Sequence, residues 1–234
     1  MTPPPRQLVL DWPHAPSYAR EDFLEAPGNT AALRAILAWP EWPARMLMLV
    51  GPKGAGKTHL ATIWARRATA RVVAAGDLTR AAAPELAQAR ALLIEDADLG
   101  VDEAALFHLL NLAREGGVDA LITARAPPDV WGLATADLVS RLRLAPVVEL
   151  GAPDLDLTRA VLVKLFNDRQ LAVDPTLVGY VALRIERSLD AARGLVAALD
   201  REALARGGPP TRAMAARLLR DDDDDRRDND ENAP

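Results

Sequence analysis

The residues best suited to chemistry lie in one glycine-rich stretch, GPKGAGKTHL, at positions 51–60. It fits the pattern G-x-x-x-x-G-K-[ST], with glycines at 51 and 56 followed by Lys57 and Thr58. Glycines let the backbone fold around a phosphate group, and the N-terminus of a following helix adds partial positive charge. In such a loop Lys57 would reach the β- and γ-phosphates of a nucleotide, and the Thr58 hydroxyl would hold Mg²⁺.

The elements that must position this loop are visible on either side of it. The apolar run at 46–50 predicts a buried strand, and the Ala-rich pattern at 58–68 predicts a helix. A glycine-rich turn without a ligand is the alternative interpretation, and the strand–loop–helix context disfavours it. The predicted nucleotide-binding residues of the loop are Gly51, Pro52, Lys53, Gly54, Ala55, Gly56, Lys57, Thr58 and His59.

Two acidic residues, Glu95 and Asp96, end the apolar run at 91–96. A strand of this kind carries acids to the side of a phosphate loop, where one holds Mg²⁺ through water and the other orients or activates the attacking water. Apolar strands that end in acids without such a role are common, but the distance from the loop favours the catalytic interpretation. We predict Glu95 as the metal-binding partner of Thr58, and both acids as catalytic.

Strand and helix patterns alternate up to about residue 150, which predicts an α/β fold with a five-stranded parallel sheet. Asn29 is expected to cap a helix at 30–38. The other predicted elements of this part are strands at 71–75, 91–96, 121–124 and 147–150 and helices at 102–114 and 137–143. Beyond residue 153 the strand signals stop, and amphipathic patterns predict helices at 154–168, 174–186, 188–205 and 211–220.

Composition excludes several classes of site. The 234 residues contain no cysteine and three scattered histidines, so we expect neither a disulfide, nor a thiolate zinc site, nor a histidine metal cluster. No apolar run reaches membrane-spanning length, and the N-terminus does not resemble a signal peptide, which predicts a cytoplasmic protein without membrane contact.

The net charge of −5 is concentrated at the C-terminal end. Residues 221–234 hold eight acids and two arginines, so the remaining chain carries about +1 and lacks a strong electrostatic footprint for nucleic acid. We expect these fourteen residues to form a disordered, solvated tail. Masking of a basic patch on a partner is a less favoured alternative.

The proline-rich N-terminus contains the hexapeptide QLVLDW at 7–12, in which Leu8, Leu10 and Trp12 alternate as in a strand. Such a segment could dock on its own domain, or it could be a peptide ligand for a groove of another protein. The spacing alone slightly favours docking on its own domain.

The motifs GAGKTHL, LLIED, LITARAPP, DLVSRL and RGLVAALDR occur in this order. Over about residues 23–205 the sequence resembles the AAA+ ATPases of the DnaA/Hda family. This resemblance implies a P-loop AAA+ domain at 18–152, a helical lid at 153–220, an extended arm at 1–17 and the acidic tail at 221–234. It also implies ADP or ATP, with Mg²⁺, as the cofactors.

The resemblance assigns further roles. Phe23, Leu24 and Asn29 match the segment near the adenine. Thr123 matches sensor 1, Arg141 the arginine finger that acts on a neighbour's nucleotide, and Arg193 the sensor 2 arginine of the lid. Two positions depart from the family pattern. Arg125 stands where an acid is usual, and Glu95 stands where Asp is usual, so hydrolysis of the chain's own nucleotide is expected to be weak or absent.

The chain shows neither the N-terminal oligomerisation domain nor the C-terminal DNA-binding domain of the initiators, so it resembles the short, Hda-type members. These carry a clamp-binding hexapeptide that Gln7, Leu8, Leu10 and Trp12 fit, which favours the partner-binding interpretation of the arm. The implied partners are DnaA and the DNA polymerase III sliding clamp (beta subunit), at the replisome, without sequence-specific DNA binding. The implied function is to promote hydrolysis of DnaA-bound ATP and so to prevent re-initiation.

Two alternatives to this function are a helicase-loader-type AAA+ ATPase and a non-hydrolysing, nucleotide-gated adaptor. The sequence leaves open which nucleotide is resident and whether the protein forms a homo-oligomer.

Overall fold

The computed structural model describes the backbone of residues 17–231 and the side chains of residues 17–221. The predicted clamp-binding residues Gln7, Leu8, Leu10 and Trp12 lie outside the described residues. The described chain forms two compact units, with the boundary between Pro153 and Asp154.

The first unit contains five parallel strands in the order β2-β3-β4-β1-β5, which confirms the predicted fold class. The strands are β1 (Met46–Val50), β2 (Arg71–Ala74), β3 (Ala91–Glu95), β4 (Asp119–Ala124) and β5 (Val147–Glu149). All five residues of β1 are buried, as expected for a central parallel strand covered on both faces.

Five α-helices are described in this unit, and together they cover both faces of the sheet. They are α1 (Thr30–Leu37), α2 (Lys57–Ala68), α3 (Ala83–Leu86), α4 (Glu103–Glu115) and α5 (Ala136–Leu142). Leu47 and Leu49 of β1 pack in one core with α1 and α2, whereas Met46, Met48 and Val50 pack in a second core with α3, α4 and α5. Alternate side chains of β1 thus enter opposite cores. The four-residue helix α3 was not predicted, because so short a segment has no measurable periodicity.

Asn29 occupies the N-cap position of α1, as predicted, but its side chain does not cap the helix. Its side chain makes no hydrogen bond to the first turn of α1. Instead, its Oδ1 accepts a hydrogen bond from the Ala26 N–H at 2.9 Å, and its Nδ2 donates to the Leu24 carbonyl oxygen at 2.9 Å. Asn29 is buried, and the amide stabilises the loop that precedes the helix because both of its polar ends find backbone partners there.

The second unit is helical, with α6 (Leu155–Asp168), α7 (Pro175–Ala182), α8 (Leu189–Arg206) and α9 (Arg212–Glu231). The side chains of Asp154, Asp174 and Ser188 accept hydrogen bonds from the first turns of α6, α7 and α8. The core of this unit contains Phe166 of α6 and Val196 of α8. Within residues 17–231, the structure holds no helix with the length and apolar character that crossing a membrane requires.

The acidic tail differs from the expectation of disorder. The backbone of α9 continues through the acidic run to Glu231, eleven residues beyond the predicted end at 220. Met214 and Ala215 are buried and anchor the start of α9, so each further residue only extends a helix that is already nucleated. An ion pair between Arg217 and Asp221, at 4.0 Å, adds a favourable contact one turn apart.

Candidate functional site

The glycine-rich loop joins the carboxyl end of β1 to the start of α2, as predicted. A side chain at Gly51 is excluded, because an added Cβ would lie 2.1 Å from the Leu150 carbonyl oxygen. Gly56, directly before α2, has a φ of 103°, in the left-handed region that favours glycine. Ala55, between these glycines, is buried in the core with α1 and α2, so the loop is anchored as well as sharply turned.

Lys57 is buried at the first turn of α2. Its Nζ donates hydrogen bonds to the carbonyl oxygens of Gly51, at 2.7 Å, and Pro52, at 3.0 Å. The glycine-rich loop therefore wraps around the Lys57 ammonium group. This places a positive charge on the concave side of the loop, where a phosphate would bind. Lys53 of the same loop is exposed.

The structure brings Thr58 and Glu95 together: the Thr58 hydroxyl hydrogen-bonds the Glu95 carboxylate. Burial raises the pKa of Glu95, the adjacent negative charge of Asp96 raises that pKa further, and the hydrogen bond from Thr58 lowers it, with a net upward shift. A hydroxyl and a carboxylate at a phosphate loop are the oxygen ligands that Mg²⁺ prefers in proteins. No group of three or more His, Cys, Asp or Glu side chains in the described chain could form a metal cage.

Asp96 lies in a left-handed turn, with a φ of 54°. Its N–H donates to the Thr123 hydroxyl oxygen at 3.1 Å, and the Ala97 N–H donates to the Thr123 carbonyl oxygen at 2.8 Å. Thr123 is buried at the end of β4, so it holds the turn that carries Asp96 from the neighbouring strand. The sequence reveals Thr123 only through the family motif; nothing in its local pattern indicates this contact.

Two aromatic side chains pack against His59 of α2, the helix that follows the glycine-rich loop. Phe23 is buried with its ring edge-to-face with that of His59, at a centroid distance of 5.3 Å. Tyr18 packs against the same imidazole at 5.4 Å, and His59 Nε2 lies 2.9 Å from the Ala19 carbonyl oxygen. The predicted residues Phe23 and His59 are thus brought together, and Leu24 lies in the same segment. Tyr18 was not predicted, although its position at the start of this segment could have indicated it.

Arg141 lies at the other end of the sheet. It is on α5, and it lines a cavity with Met46 and Ala120, which are at the amino ends of β1 and β4. Its Nη2 donates to the Asn111 Oδ1 of α4 at 2.7 Å. The five residues of β1 separate this point from the glycine loop, a length of roughly 13 Å at ~3.3 Å per residue.

The remaining predicted residues are placed as follows. Arg193 lies on α8 of the second unit, and its Nη1 donates to the Asp190 Oδ1 at 2.9 Å. Its role toward a nucleotide stays a prediction. Arg125, where the family has an acid, is exposed, and its backbone N–H donates to the Asp98 Oδ2 at 3.0 Å.

Sequence comparison finds DnaA initiators. The protein from Thermotoga petrophila is 24% identical over 217 residues, which cover 82% of this chain and 49% of that protein. The protein from Clavibacter sepedonicus is 25% identical over 240 residues, which cover 92% and 50%. The chain therefore spans about half the length of these curated relatives. No protein-family model matches the chain.

Structure comparison agrees. Domain III of DnaA from Thermotoga maritima aligns with a TM-score of 0.75 at 24% identity, covering 90% of this chain and 98% of that domain. AMPPCP-bound DnaA from Aquifex aeolicus aligns with a TM-score of 0.64 at 18% identity, covering 78% and 64%. A RuvB variant from Thermotoga maritima has a TM-score of 0.68 at 14% identity, covering 87% and 72%. The sequence matches and the fold together show that this chain is similar to the DnaA replication initiators, and that its fold is that of their domain III.

Proposed function

We propose that this chain is an Hda-type regulator of replication initiation. It binds an adenine nucleotide at its own glycine loop, and it supplies Arg141 to the ATP held by DnaA, which promotes hydrolysis there and prevents re-initiation. The observation that carries this proposal is the placement of the loop and Arg141 at opposite ends of β1.

The nucleotide half of the proposal is supported by the geometry of the loop. Lys57 and the N-terminus of α2 supply positive charge, while Thr58 and Glu95 supply oxygen ligands for Mg²⁺. Bound Mg²⁺ would neutralise charge between the β- and γ-phosphates. The rings of Tyr18 and Phe23 around His59 lie beside the loop helix, where a base would contact them. A homologue of the same fold binds AMPPCP, which favours an adenine nucleotide here.

The regulatory half is supported by the distance of Arg141 from the loop. β1, roughly 13 Å long at ~3.3 Å per residue, separates the cavity that Arg141 lines from the loop, so Arg141 would not reach phosphates bound at Lys57 in the same molecule. A guanidinium group that enters another molecule's site stabilises the charge of phosphoryl transfer, an effect of about 10³–10⁵ in rate. To act in this way, Arg141 must exchange its hydrogen bond with Asn111 for one with a γ-phosphate oxygen.

The proposed clamp contact rests on the sequence. Gln7, Leu8, Leu10 and Trp12 would enter a groove of the sliding clamp as an extended peptide, with the apolar side chains in pockets and the Gln amide at the rim. Docking on a clamp loaded on DNA would bring the chain to the replisome, where it would meet ATP-bound DnaA.

A second candidate is a nucleotide-gated adaptor that hydrolyses nothing. Glu95 favours it, because Glu stands where the resembled family has Asp, and the extra methylene displaces the carboxylate that would hold Mg²⁺. An adaptor would bind nucleotide and partners without changing the rate at which DnaA consumes ATP.

The test is the rate of hydrolysis of radiolabelled ATP pre-bound to DnaA. The rate is measured with this chain, DNA-loaded clamp and ADP together, and then with each omitted in turn. Stimulation that needs both the chain and the clamp supports the regulator. An unchanged hydrolysis rate, with nucleotide and clamp binding intact, would contradict the regulator and favour the nucleotide-gated adaptor.

A further inference from the structure

A cavity of about 270 Å³ lies at the amino ends of β1 and β4, at the opposite end of the sheet from the glycine loop. Its walls are apolar where they meet the sheet and α4, and Met46, Leu110 and Val118 contribute to them. The volume is just below the ~300–1,000 Å³ that is usual for the sites of drug-sized ligands, so the cavity suits a ligand smaller than those.

Three arginines, Arg45, Arg114 and Arg141, line the same cavity, and none of the residues that line it is acidic. Arg45 donates to the Gly117 carbonyl oxygen at 2.8 Å and lies 3.4 Å from the Asp119 carboxylate. The guanidinium group of Arg114 is exposed and has no hydrogen bond or ion pair with any described residue. Three cations beside one carboxylate leave the cavity with an excess of positive charge.

Arg141 adds an unsatisfied donor. Its Nη2 is bonded to Asn111, but its Nη1 is buried and has no hydrogen-bond partner among the described residues. A buried guanidinium nitrogen without an acceptor is unfavourable, and an anionic oxygen in the cavity would remove that cost. The cavity thus combines apolar walls, excess positive charge and a buried donor that lacks its acceptor.

We propose that this cavity binds a small organic carboxylate with a hydrocarbon body. The carboxylate would accept hydrogen bonds from Arg141 and Arg114, since guanidinium groups pair with carboxylates in a forked geometry. The hydrocarbon body would cover the apolar wall. At ~30 Å³ per water molecule, the cavity has the volume of about nine waters, which suits a ligand of about nine or ten heavy atoms. Inorganic phosphate would leave the apolar wall uncovered, and a full-length lipid chain would exceed the space.

The site would also hold Arg141 in the cavity. Under the proposed function, on which this consequence rests, the bound carboxylate would keep Arg141 from reaching DnaA and so inhibit stimulation. Binding itself needs neither DnaA nor nucleotide and can be tested without them.

The test is an NMR titration of the full chain with octanoate, which has ten heavy atoms, below the concentration at which it forms micelles. The matched probes are 1-octanol, which has the same hydrocarbon chain without charge, and inorganic phosphate. Octanoate should bind at least about tenfold more tightly than octanol, because one charge-assisted hydrogen bond changes a dissociation constant by about that factor. It should shift the backbone amides of Val118 and Ala120, whereas phosphate should not.

Arg114→Gln locates the charge contact, and the exposed position of Arg114 means that the fold should survive the change. Its affinity for octanoate should fall about tenfold, while its affinity for octanol stays unchanged. Arg90→Gln, at an exposed arginine that does not line the cavity, is the matched control and should bind octanoate like the parent. Equal affinity for octanoate and octanol, an unaffected Arg114→Gln variant, or shifts confined to other residues would overturn the proposal. Because DnaA is absent from the assay, such a failure would leave the proposed function standing.

Discussion

At the residue scale, Lys57 has two roles that the motif alone does not separate. Its ammonium group is buried and donates to the carbonyl oxygens of Gly51 and Pro52, so it holds the loop in shape. The same charge is the one that phosphates would meet. The loop therefore keeps its binding cation in place through contacts that also stabilise the fold.

Lys57→Ala should lower ADP affinity by at least about a hundredfold, because two charge-assisted contacts to phosphate oxygens are lost. It should also lower the free energy of unfolding by about 1–3 kcal/mol, since two loop carbonyls lose a charged donor. Titration calorimetry and thermal unfolding measure the two effects. Lys53→Ala, at the exposed lysine of the same loop, is the control and should change neither. ADP affinity that survives in Lys57→Ala would contradict the assignment of the loop.

At the element scale, the strand–loop–helix unit was predictable because the apolar run, the glycine motif and the helical pattern all indicate the same structure. β1 is an uninterrupted apolar run, and α2 begins at the lysine of the motif. The strands were located to within about two residues, because each is a short apolar run between turn residues. What the sequence did not show was the contact between β3 and β4 through Thr123, since the register of non-adjacent segments is a tertiary property.

The helices show where local patterns mislead. We predicted that α7 reaches residue 186, whereas it ends at Ala182. Ile185, beyond its end, is buried and continues the apolar pattern without being helical. Asn29 has the residue type of a cap and sits directly before α1, but its amide bonds to Leu24 and Ala26 instead. Asn29 is thus held by local backbone contacts in the preceding loop, and Ile185 joins the core of the second unit from outside the helix.

Glu103 joins two elements and gives a pH prediction. Its carboxylate, on the first turn of α4, accepts hydrogen bonds from the Ala134 and Thr135 N–H groups at 2.9 and 2.8 Å, just before α5. A hydrogen bond from the Thr135 hydroxyl, followed by these two backbone bonds, lowers the pKa of Glu103 below its usual 4.5. A lowered pKa in the folded state means that the stabilisation is fully present above pH 4.5 and is lost as the pH falls through the folded-state value.

Glu103→Gln should therefore lower the melting temperature at pH 7, and the difference from the parent should shrink steadily below about pH 4.5. Thermal unfolding between pH 3 and pH 7 at constant ionic strength measures it. Glu115→Gln, at an exposed glutamate at the other end of α4, should show no such trend. A difference that is independent of pH would mean that the charge of Glu103 does not stabilise the junction of α4 and α5.

At the scale of the whole molecule, the proposed functions lie at separate places on the chain. The proposed nucleotide site lies at the carboxyl end of β1, Arg141 lies at the amino end, and the proposed clamp contact lies in the N-terminal arm outside the described residues. Separate places predict separable defects, so a variant of one should leave the other functions intact.

Changing Gln7 and Leu8 together to Ala should abolish clamp binding, because the rim contact and one pocket contact of the peptide are both lost. ADP affinity and the melting temperature should stay at the parental values. Surface plasmon resonance on immobilised clamp measures the first effect. If the arm docks on its own domain instead, the same change would lower the melting temperature. Unchanged clamp affinity would place the contact elsewhere on the chain.

The most direct test of the central claim is single-turnover hydrolysis of ATP pre-bound to DnaA, with the parent chain, Arg141→Ala and Arg143→Ala compared in the presence of DNA-loaded clamp. Arg143 is exposed two residues further along and pairs with Asp129, so it controls for the loss of one arginine near α5. The account predicts that Arg141→Ala binds ADP and clamp like the parent, yet loses about a thousandfold or more of the stimulation, whereas Arg143→Ala retains it. Full stimulation by Arg141→Ala, or loss of its own ADP binding as the main defect, would contradict the account.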